Sequence, residues 1–132
     1  GGTLGKRLFL KLSDIVNKKN TTSVNADANI KEVIIEISEK RLGATAVLKN
    51  NILKGIITDG DLRRMLEKGD SFSNLIATDI MCVNPKKIDI NMMAYDALQL
   101  MEHNNISQMI VMDKANYVGI VHIHEIIKQG VV

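Results

Sequence analysis

The chain carries one pattern twice, at an offset of 64 positions that takes Gly55 to Gly119. At this offset, residues 29–34 align with residues 93–98 without a gap. A repeat of this size indicates two copies of one supersecondary unit, each too small to bury its own apolar face. The sequence therefore predicts a fold assembled from two similar halves, and a cleft between such halves is a common ligand site.

Composition narrows the classes of function. Of the 132 residues, 45% are hydrophobic and 24% charged, as in an ordinary globular domain. A formal net charge of +2 and an aromatic content of 3% do not favour binding to nucleic acid. No apolar run approaches the length of a membrane span, and the single cysteine, Cys82, cannot form an internal disulfide. We therefore expect a cytoplasmic protein that binds neither nucleic acid nor membrane.

Hydrophobic periodicity predicts the same elements in both copies. Apolar residues at helical spacing follow Asn29, a suitable N-cap, and two short apolar runs on either side of an Asn-Asn turn indicate a hairpin. The predicted order is a leading strand, a helix, two strands and a second helix, over residues 23–24, 29–43, 44–48, 52–57 and 58–67. In the second copy the helices cover residues 94–101 and 122–129, and the hairpin strands cover residues 108–112 and 117–121.

Segments outside the copies set the predicted boundaries. Residues 71–77 belong to a stretch of small and polar residues and form the predicted linker between repeat 1, residues 13–70, and repeat 2, residues 78–132. Leucines spaced by four in residues 1–12 predict a helical lead-in outside the repeats.

The motifs resemble those of a known family. The run Thr58-Asp-Gly-Asp-Leu-Arg-Arg follows an apolar Gly-Ile-Ile strand, and this unit in tandem resembles the cystathionine-β-synthase (CBS) domain pair, or Bateman module. The resemblance implies an α/β fold with two β-α-β-β-α repeats related by pseudo-two-fold symmetry. Gly2-Thr-Leu-Gly-Lys-Arg-Leu, Ser13-Asp-Ile, His122-Ile-His and Gly130-Val-Val are similar, in this order, to the C-terminal part of bacterial D-arabinose 5-phosphate isomerases.

This narrower resemblance implies a place in a larger protein. In that family an N-terminal sugar-isomerase (SIS) domain interconverts ribulose 5-phosphate and arabinose 5-phosphate, which supplies the sugar acid Kdo for lipopolysaccharide or capsule. The resemblance implies that the present chain begins just after that catalytic domain, with residues 1–12 as the linker helix. It also implies that the fragment is not an enzyme, and no catalytic motif is visible among its residues.

Thr58 and Asp61 form the most specific candidate site. A threonine followed three residues later by an acid is a capping box, which satisfies backbone N–H groups at the start of a helix. In CBS domains the same two side chains commonly hold the ribose hydroxyls of a nucleotide, and the two roles are compatible. Asp59 adds a second carboxylate, although acids at a helix start are stabilising in any case. Arg64 suits a phosphate through bidentate hydrogen bonds, with a solvated helix face as the alternative.

His122, His124 and Glu125 occupy the matching place in the second copy. Histidine is a poor N-cap, so a purely capping role is less expected there than at Thr58. A helix start favours anions, and histidine adds a hydrogen-bond donor, and a positive charge below its pKa of about 6.5. The alternatives are two ordinary surface histidines or a metal pair, for which a third and fourth ligand are not evident.

Three functions follow from this reading. The first is a regulatory module, without a required cofactor, in which a nucleotide or nucleotide sugar such as CMP-Kdo binds between the copies and biases the SIS domain. The second is an adenine-nucleotide sensor. The third is a ligand-free oligomerisation module, in which CBS pairs form a dimer across a two-fold axis.

Overall fold

A computed structural model describes residues 9–69 and 71–131, and within them each copy forms a three-stranded sheet. Each sheet is ordered β1-β2-β3 or β4-β5-β6, with helices after its first and third strands. The strands are β1 (Ser23–Asn25), β2 (Ala44–Lys49), β3 (Ile52–Thr58), β4 (Lys87–Asp89), β5 (Gln108–Asp113) and β6 (Asn116–His122). The helices are α1 (Ile30–Lys40), α2 (Asp59–Glu67), α3 (Ala77–Ile80), α4 (Ala94–His103) and α5 (Ile123–Lys128), and 3₁₀ turns cover Leu12–Asp14 and Lys18–Asn20.

The predicted β-α-β-β-α order is confirmed in both copies. Helix α1 begins where it was expected, because the side chain of Asn29 accepts a hydrogen bond from the backbone N–H of Glu32 at 2.9 Å. Its end is earlier than predicted. Arg41 already takes the left-handed conformation, with φ of 59°, and donates its N–H to the carbonyl of Ile37, whereas Gly43, with φ of 72°, lies two residues beyond the end of the helix.

The two sheets share one register. Strand β2 runs parallel to β1 and antiparallel to β3, and Val47 is the partner of both Val24 and Gly55. In the second sheet, Val111 likewise is the strand partner of both Ile88 and Gly119. Both hairpins also change register just after this valine. The 64-residue offset of the sequence is therefore an offset of the backbone pairing as well.

The chain divides into two compact units, and each unit takes in the segment that precedes the other copy. The first-repeat unit comprises residues 22–85, and the described part of the second-repeat unit comprises residues 9–21 and 86–131. We name residues 10–16 the first lead-in segment and residues 75–82 the second lead-in segment. Each lead-in segment belongs to the unit of the other repeat, which local periodicity does not reveal.

Backbone hydrogen bonds fix both lead-in segments in equivalent ways. In the second-repeat unit, the N–H groups of Leu12 and Ser13 donate to the carbonyls of Met92 and Ile90, both at 2.9 Å. In the first-repeat unit, the corresponding bonds run from Ala77 to Ala28 at 2.8 Å and from Thr78 to Ala26 at 3.0 Å. The side chains follow the backbone, because Leu12 is fully buried in the second-repeat core and Ala77 in the first-repeat core.

Two glycines at the repeat offset allow the lead-in segments to lie close to the sheets. A Cβ added at Gly55 would lie 2.6 Å from the carbonyl oxygen of Cys82, which pairs with the adjacent Ile56. A Cβ added at Gly119 would lie 2.7 Å from Cγ1 of Val16. Both distances are shorter than carbon contacts allow, so a side chain at Gly55 would push away the backbone of the second lead-in segment, and one at Gly119 would displace the side chain of Val16.

The predicted helix over residues 1–12 lies mostly outside the described residues, which begin at Phe9. Lys11 has extended backbone and forms an isolated antiparallel bridge with Met93. Cys82 is an exposed free thiol. Among the described residues, none of the helices combines the length and hydrophobicity that crossing a membrane requires.

Candidate functional site

The start of α2 holds the capping box that the sequence predicts. The backbone N–H of Thr58 donates to Oδ2 of Asp61 at 2.9 Å, and the Thr58 hydroxyl donates to the same oxygen at 3.1 Å. In return, the backbone N–H of Asp61 donates to Thr58 Oγ1 at 3.3 Å. These bonds satisfy N–H groups that the first turn of a helix otherwise leaves without partners.

Arg64 engages the other oxygen of the same carboxylate. Its Nη2 donates to Oδ1 of Asp61 at 2.6 Å, so both oxygens of Asp61 accept hydrogen bonds. The Arg64 side chain is 66% exposed, whereas that of Asp61 is 15% exposed. A ligand hydroxyl could therefore displace the guanidinium from Oδ1 at small cost, because exposed ion pairs contribute little to stability.

A groove of about 390 Å³ runs beside this carboxylate, within the first-repeat unit. Its walls come from one face of α2 and from the chain that leads into and through α3. Apolar side chains and charged or hydroxyl groups both line it, so it suits a ligand with an apolar surface and anionic or hydroxyl groups. The lining residues are Asp61, Arg64, Met65, Lys68, Ser71, Leu75, Asp79 and Ile80.

The groove gathers some of the predicted site residues and adds others. Asp61 and Arg64 line the groove. Thr58 does not line it but donates a hydrogen bond to the Asp61 carboxylate, and Asp59 is exposed at the helix start. Lys68 was not predicted, although its position one turn after Arg64 could have indicated a shared helix face. Asp79 lies in the second lead-in segment rather than in α2, so spacing along the helix could not indicate that it lines the groove.

The expectation that His122 caps poorly is wrong. Its Nδ1 accepts a hydrogen bond from the backbone N–H of His124 at 3.0 Å, and the backbone N–H of His122 donates to Oε1 of Glu125 at 2.8 Å. An unprotonated imidazole nitrogen accepts hydrogen bonds as a carboxylate or hydroxyl oxygen does. His122 and Glu125 therefore form a cap at the start of α5, as Thr58 and Asp61 do at the start of α2.

The environment of His122 keeps it neutral. Partial burial lowers the pKa of His122 below 6.5, and the neighbouring His124 lowers it further through charge repulsion. The two imidazole rings are stacked, with centroids 4.8 Å apart and planes at 17°. With Nδ1 accepting, the proton lies on Nε2. His122 can therefore donate one hydrogen bond to an anion at neutral pH, without a positive charge.

The two candidate clusters belong to different units. Thr58, Asp61 and Arg64 lie in the first-repeat unit, and His122 and Glu125 lie in the second-repeat unit. Within the described residues, no group of three or more histidine, cysteine, aspartate and glutamate side chains is arranged to hold a metal ion.

Comparison with known families and structures identifies the relatives of this fold. The family model described as "CBS domain" matches the chain twice, over residues 12–68 and 77–131. These matches take in most of both repeats, and each match begins inside a lead-in segment.

Two curated relatives are arabinose 5-phosphate isomerases named KdsD. The one from Yersinia pestis is 37% identical over 134 residues, which is 100% of this chain and 41% of the relative. The one from Francisella tularensis is 43% identical over 129 residues, covering 96% of this chain and 39% of the relative. The match lies in the C-terminal part of these isomerases. The chain therefore spans about two fifths of the length of these relatives.

Solved structures show the same fold at low identity. CBSX2 in complex with AMP has a TM-score of 0.75 and 18% identity, covering 91% of this chain and 95% of its own. The CBS domain protein PAE2072 from Pyrobaculum aerophilum, complexed with AMP, has a TM-score of 0.77 and 18% identity, covering 88% of this chain and 89% of its own. At these identities the likeness supports the fold alone.

Proposed function

The chain belongs to the CBS domain family, and from that premise we propose that it is the nucleotide-sensing regulatory module of an arabinose 5-phosphate isomerase. The groove beside α2 carries this proposal, because two carboxylates and two cationic side chains line it together with apolar residues. The similarity to KdsD isomerases over nearly the whole chain supports the assignment of the parent enzyme.

The chemistry of the groove suits a nucleotide or a nucleotide sugar. Asp61 can accept hydrogen bonds from two ribose hydroxyls once Arg64 leaves Oδ1, and the freed guanidinium can then bind a phosphate in bidentate fashion. Lys68 lies on the same wall and can bind a second anionic group, such as a sugar carboxylate. Arg64 would thus exchange an intramolecular ion pair for a ligand phosphate.

CMP-Kdo has this combination of groups and is the ligand that we favour. It carries a ribose, a phosphate and a carboxylate, and it stands at the end of the pathway that an arabinose 5-phosphate isomerase supplies. Within the second-repeat unit we propose a separate ligand-contact set at the start of α5, where Nε2–H of His122, with His124, would contact an anionic group and Glu125 a hydroxyl group.

An adenine nucleotide is the second candidate. CBSX2 and PAE2072, which share the fold, are described in complex with AMP. AMP offers the same ribose and phosphate to Asp61 and Arg64, and its base would lie on apolar groove residues such as Met65 and Ile80. AMP lacks a carboxylate that could bind Lys68, so replacing Lys68 should change the affinity for CMP-Kdo and for AMP differently.

In the parent enzyme the module would act because its ligand has different affinities for two conformations of the CBS pair. A ligand that binds one conformation of the CBS pair better than another shifts the population, and the shift reaches an attached SIS domain through residues 1–12. The isomerase activity, its sugar phosphate substrates and the SIS domain as partner are parts of this proposal.

Thermal unfolding of the chain with CMP-Kdo, CMP, AMP and ATP tests the proposal. A ligand that binds the folded state stabilises it in proportion to ln(1 + [L]/Kd), so the melting temperature rises with concentration. We expect Arg64→Gln to weaken binding about tenfold, because a charge-assisted hydrogen bond is lost. Lys68→Gln should weaken binding of CMP-Kdo but not of AMP.

Arg63→Gln is the matched control, since Arg63 is the exposed neighbour of Arg64 and is not among the groove residues. It should leave the Kd unchanged. The proposal fails if no nucleotide raises the melting temperature, or if Arg63→Gln and Arg64→Gln weaken binding equally.

A further inference from the structure

The second lead-in segment forms one wall of the groove beside α2. Leu75, Asp79 and Ile80 belong to this segment, and Asp61 and Arg64 on the other wall belong to α2. A ligand that fills the groove would therefore contact a helix and a lead-in segment at the same time. The shape of the groove depends on where the segment lies on the first-repeat sheet.

Hydrogen bonds to the backbone hold the second lead-in segment in place. Besides the two N–H bonds from Ala77 and Thr78, the Thr78 hydroxyl donates to the carbonyl of Ala26 at 2.7 Å. Further along the segment, Cys82 and Ile56 exchange two backbone hydrogen bonds, of 2.8 and 3.1 Å. Each such bond replaces a bond to water, so its net contribution to stability is small.

The second lead-in segment also buries less apolar surface than the first. Ala77 makes the backbone bond that corresponds to that of Leu12, and both side chains are fully buried, but alanine is much the smaller. Ile80 is only partly buried, and Thr78 and Asp79 are exposed. Segments with few buried apolar contacts open locally at low free-energy cost. We therefore expect the second lead-in segment to leave its sheet more readily than the first.

Gly55 determines how closely this segment approaches the sheet. A Cβ at residue 55 would lie 2.6 Å from the carbonyl oxygen of Cys82 and 2.9 Å from the sulfur of Met81, whereas ordinary contacts begin near 3.4 Å. The backbone that carries Ile80 would have to move to relieve both contacts. A gap of about 0.5–1 Å forfeits a quarter to a half of the dispersion energy of a contact. Gly55 is not among the groove residues, so it would affect a ligand only through the segment.

We propose that Gly55 is a positioning residue for the groove, and that a bound nucleotide locks the second lead-in segment onto the first-repeat sheet. This inference rests on the proposed function. The open segment leaves the groove without one wall, so the nucleotide would bind only the docked state, and binding and docking favour each other equally. The segment continues through residues 83–86 into β4, so occupancy of the groove fixes the chain just before the second sheet.

Amide hydrogen exchange of the full chain, with and without CMP-Kdo and then AMP, measures the locking. If only the docked segment binds the nucleotide, exchange at Ala77, Thr78 and Cys82 should slow by the factor 1 + [L]/Kd. This is about tenfold at a free concentration near ten times Kd. The amides of Leu12 and Ser13, which make the equivalent bonds in the second-repeat unit, are the internal control and should not change.

Gly55→Ala tests the positioning role. It should raise the Kd for CMP-Kdo about tenfold, because the displaced wall loses contacts with the ligand. The Kd is measured by titration calorimetry at a temperature where circular dichroism shows the variant to be folded. Val16→Ala is the control, since it loosens the first lead-in segment in the second-repeat unit and should leave the Kd unchanged.

Thr78→Val tests the docking of the segment without a change at the groove. Valine has nearly the shape of threonine but cannot donate to Ala26, and Thr78 is not among the groove residues. In the absence of ligand, the amides of Ala77 and Cys82 should exchange about fivefold faster than in the wild type. Thr78→Ser keeps the hydroxyl and should restore the slower exchange.

The outcomes separate this inference from the proposed function. A wild type that binds a nucleotide, with unchanged exchange at Ala77, Thr78 and Cys82, would overturn the inference and leave the proposed function standing. Equal Kd values for the wild type and Gly55→Ala would do the same. If neither CMP-Kdo nor AMP binds the wild type, the proposed function fails and the inference fails with it.

Discussion

The two repeats build the same helix cap from different side chains. Thr58 and Asp61 use a hydroxyl and a carboxylate, whereas His122 and Glu125 use an imidazole nitrogen and a carboxylate. Only the second cap contains a group that titrates near neutral pH, because Nδ1 of His122 must stay unprotonated to accept the hydrogen bond.

Lowering the pH should therefore destabilise the second-repeat unit. The pKa of His122 is below 6.5 in the folded chain, whereas the unfolded chain titrates at about 6.5, so the unfolded state binds more protons between the two values. This contribution is fully present above pH 6.5 and is lost as the pH falls through the folded-state pKa. Urea unfolding between about pH 7.5 and 5 would measure it.

His122→Thr is the matched control, because it installs the cap residue of the first repeat. Its stability should fall less over the same pH interval than that of the wild type. Equal pH dependence in the two proteins would contradict the role assigned to His122.

Among the site residues, the sequence predicts contacts between residues that are close together in the chain. The Thr58–Asp61 box follows from residue types three positions apart, so it could be predicted without a fold. The cap at His122 could not be predicted, because it depends on which imidazole nitrogen faces the helix and on the burial that keeps it neutral. Lys68 was missed because a helix face becomes a wall only when Asp79 and Ile80 lie opposite.

Among the elements, the lead-in segments depend on glycine in the strands they cross. Gly55→Ala should destabilise the chain by about 1–3 kcal/mol, since the new methyl group meets the backbone oxygen of Cys82. The two hydrogen bonds between Ile56 and Cys82 should weaken, and their amide hydrogens should exchange faster with solvent.

Gly60→Ala is a suitable comparison within the same unit. The nearest atom to its added Cβ is the mobile end of Arg64 at 3.3 Å, and alanine is the better helix former. We expect Gly60→Ala to be neutral or stabilising. If both variants destabilise the chain alike, close approach at Gly55 is not the cause.

The regular elements were predictable because their signals are short in range. Periodicity located α1 and α4, and the Asn50–Asn51 turn located the first hairpin, where both residues have positive φ. The assignment of the lead-in segments to opposite units was not predictable. Leu12 and Ala77 have similar local sequences, and nothing nearby specifies which sheet each segment joins.

For the molecule as a whole, the assignment of each lead-in segment to the unit of the other repeat predicts which unit a substitution in that segment destabilises. Leu12→Ala removes a fully buried side chain from the second-repeat core and should cost about 2–5 kcal/mol. Amide hydrogen exchange should then accelerate in β4, β5 and β6 more than in β1, β2 and β3, although Leu12 directly precedes the first repeat.

Ile80→Ala makes the reciprocal test, because Ile80 packs against the first-repeat core. It should raise exchange in β1, β2 and β3, with a smaller total loss since Ile80 is only partly buried. Faster exchange in the repeat that immediately follows each altered segment would contradict the observed units.

Because each lead-in segment belongs to the unit of the other repeat, the two units fold in a defined order during translation. Residues 22–85 are contiguous, so the first-repeat unit can close as soon as residue 85 has emerged. Residues 9–21 are translated earlier but have no partner until β4, β5 and α4 have been made. Leu12 and Val16 therefore remain unburied while residues 22–85 fold, so the first lead-in segment is translated before the second but is buried after it.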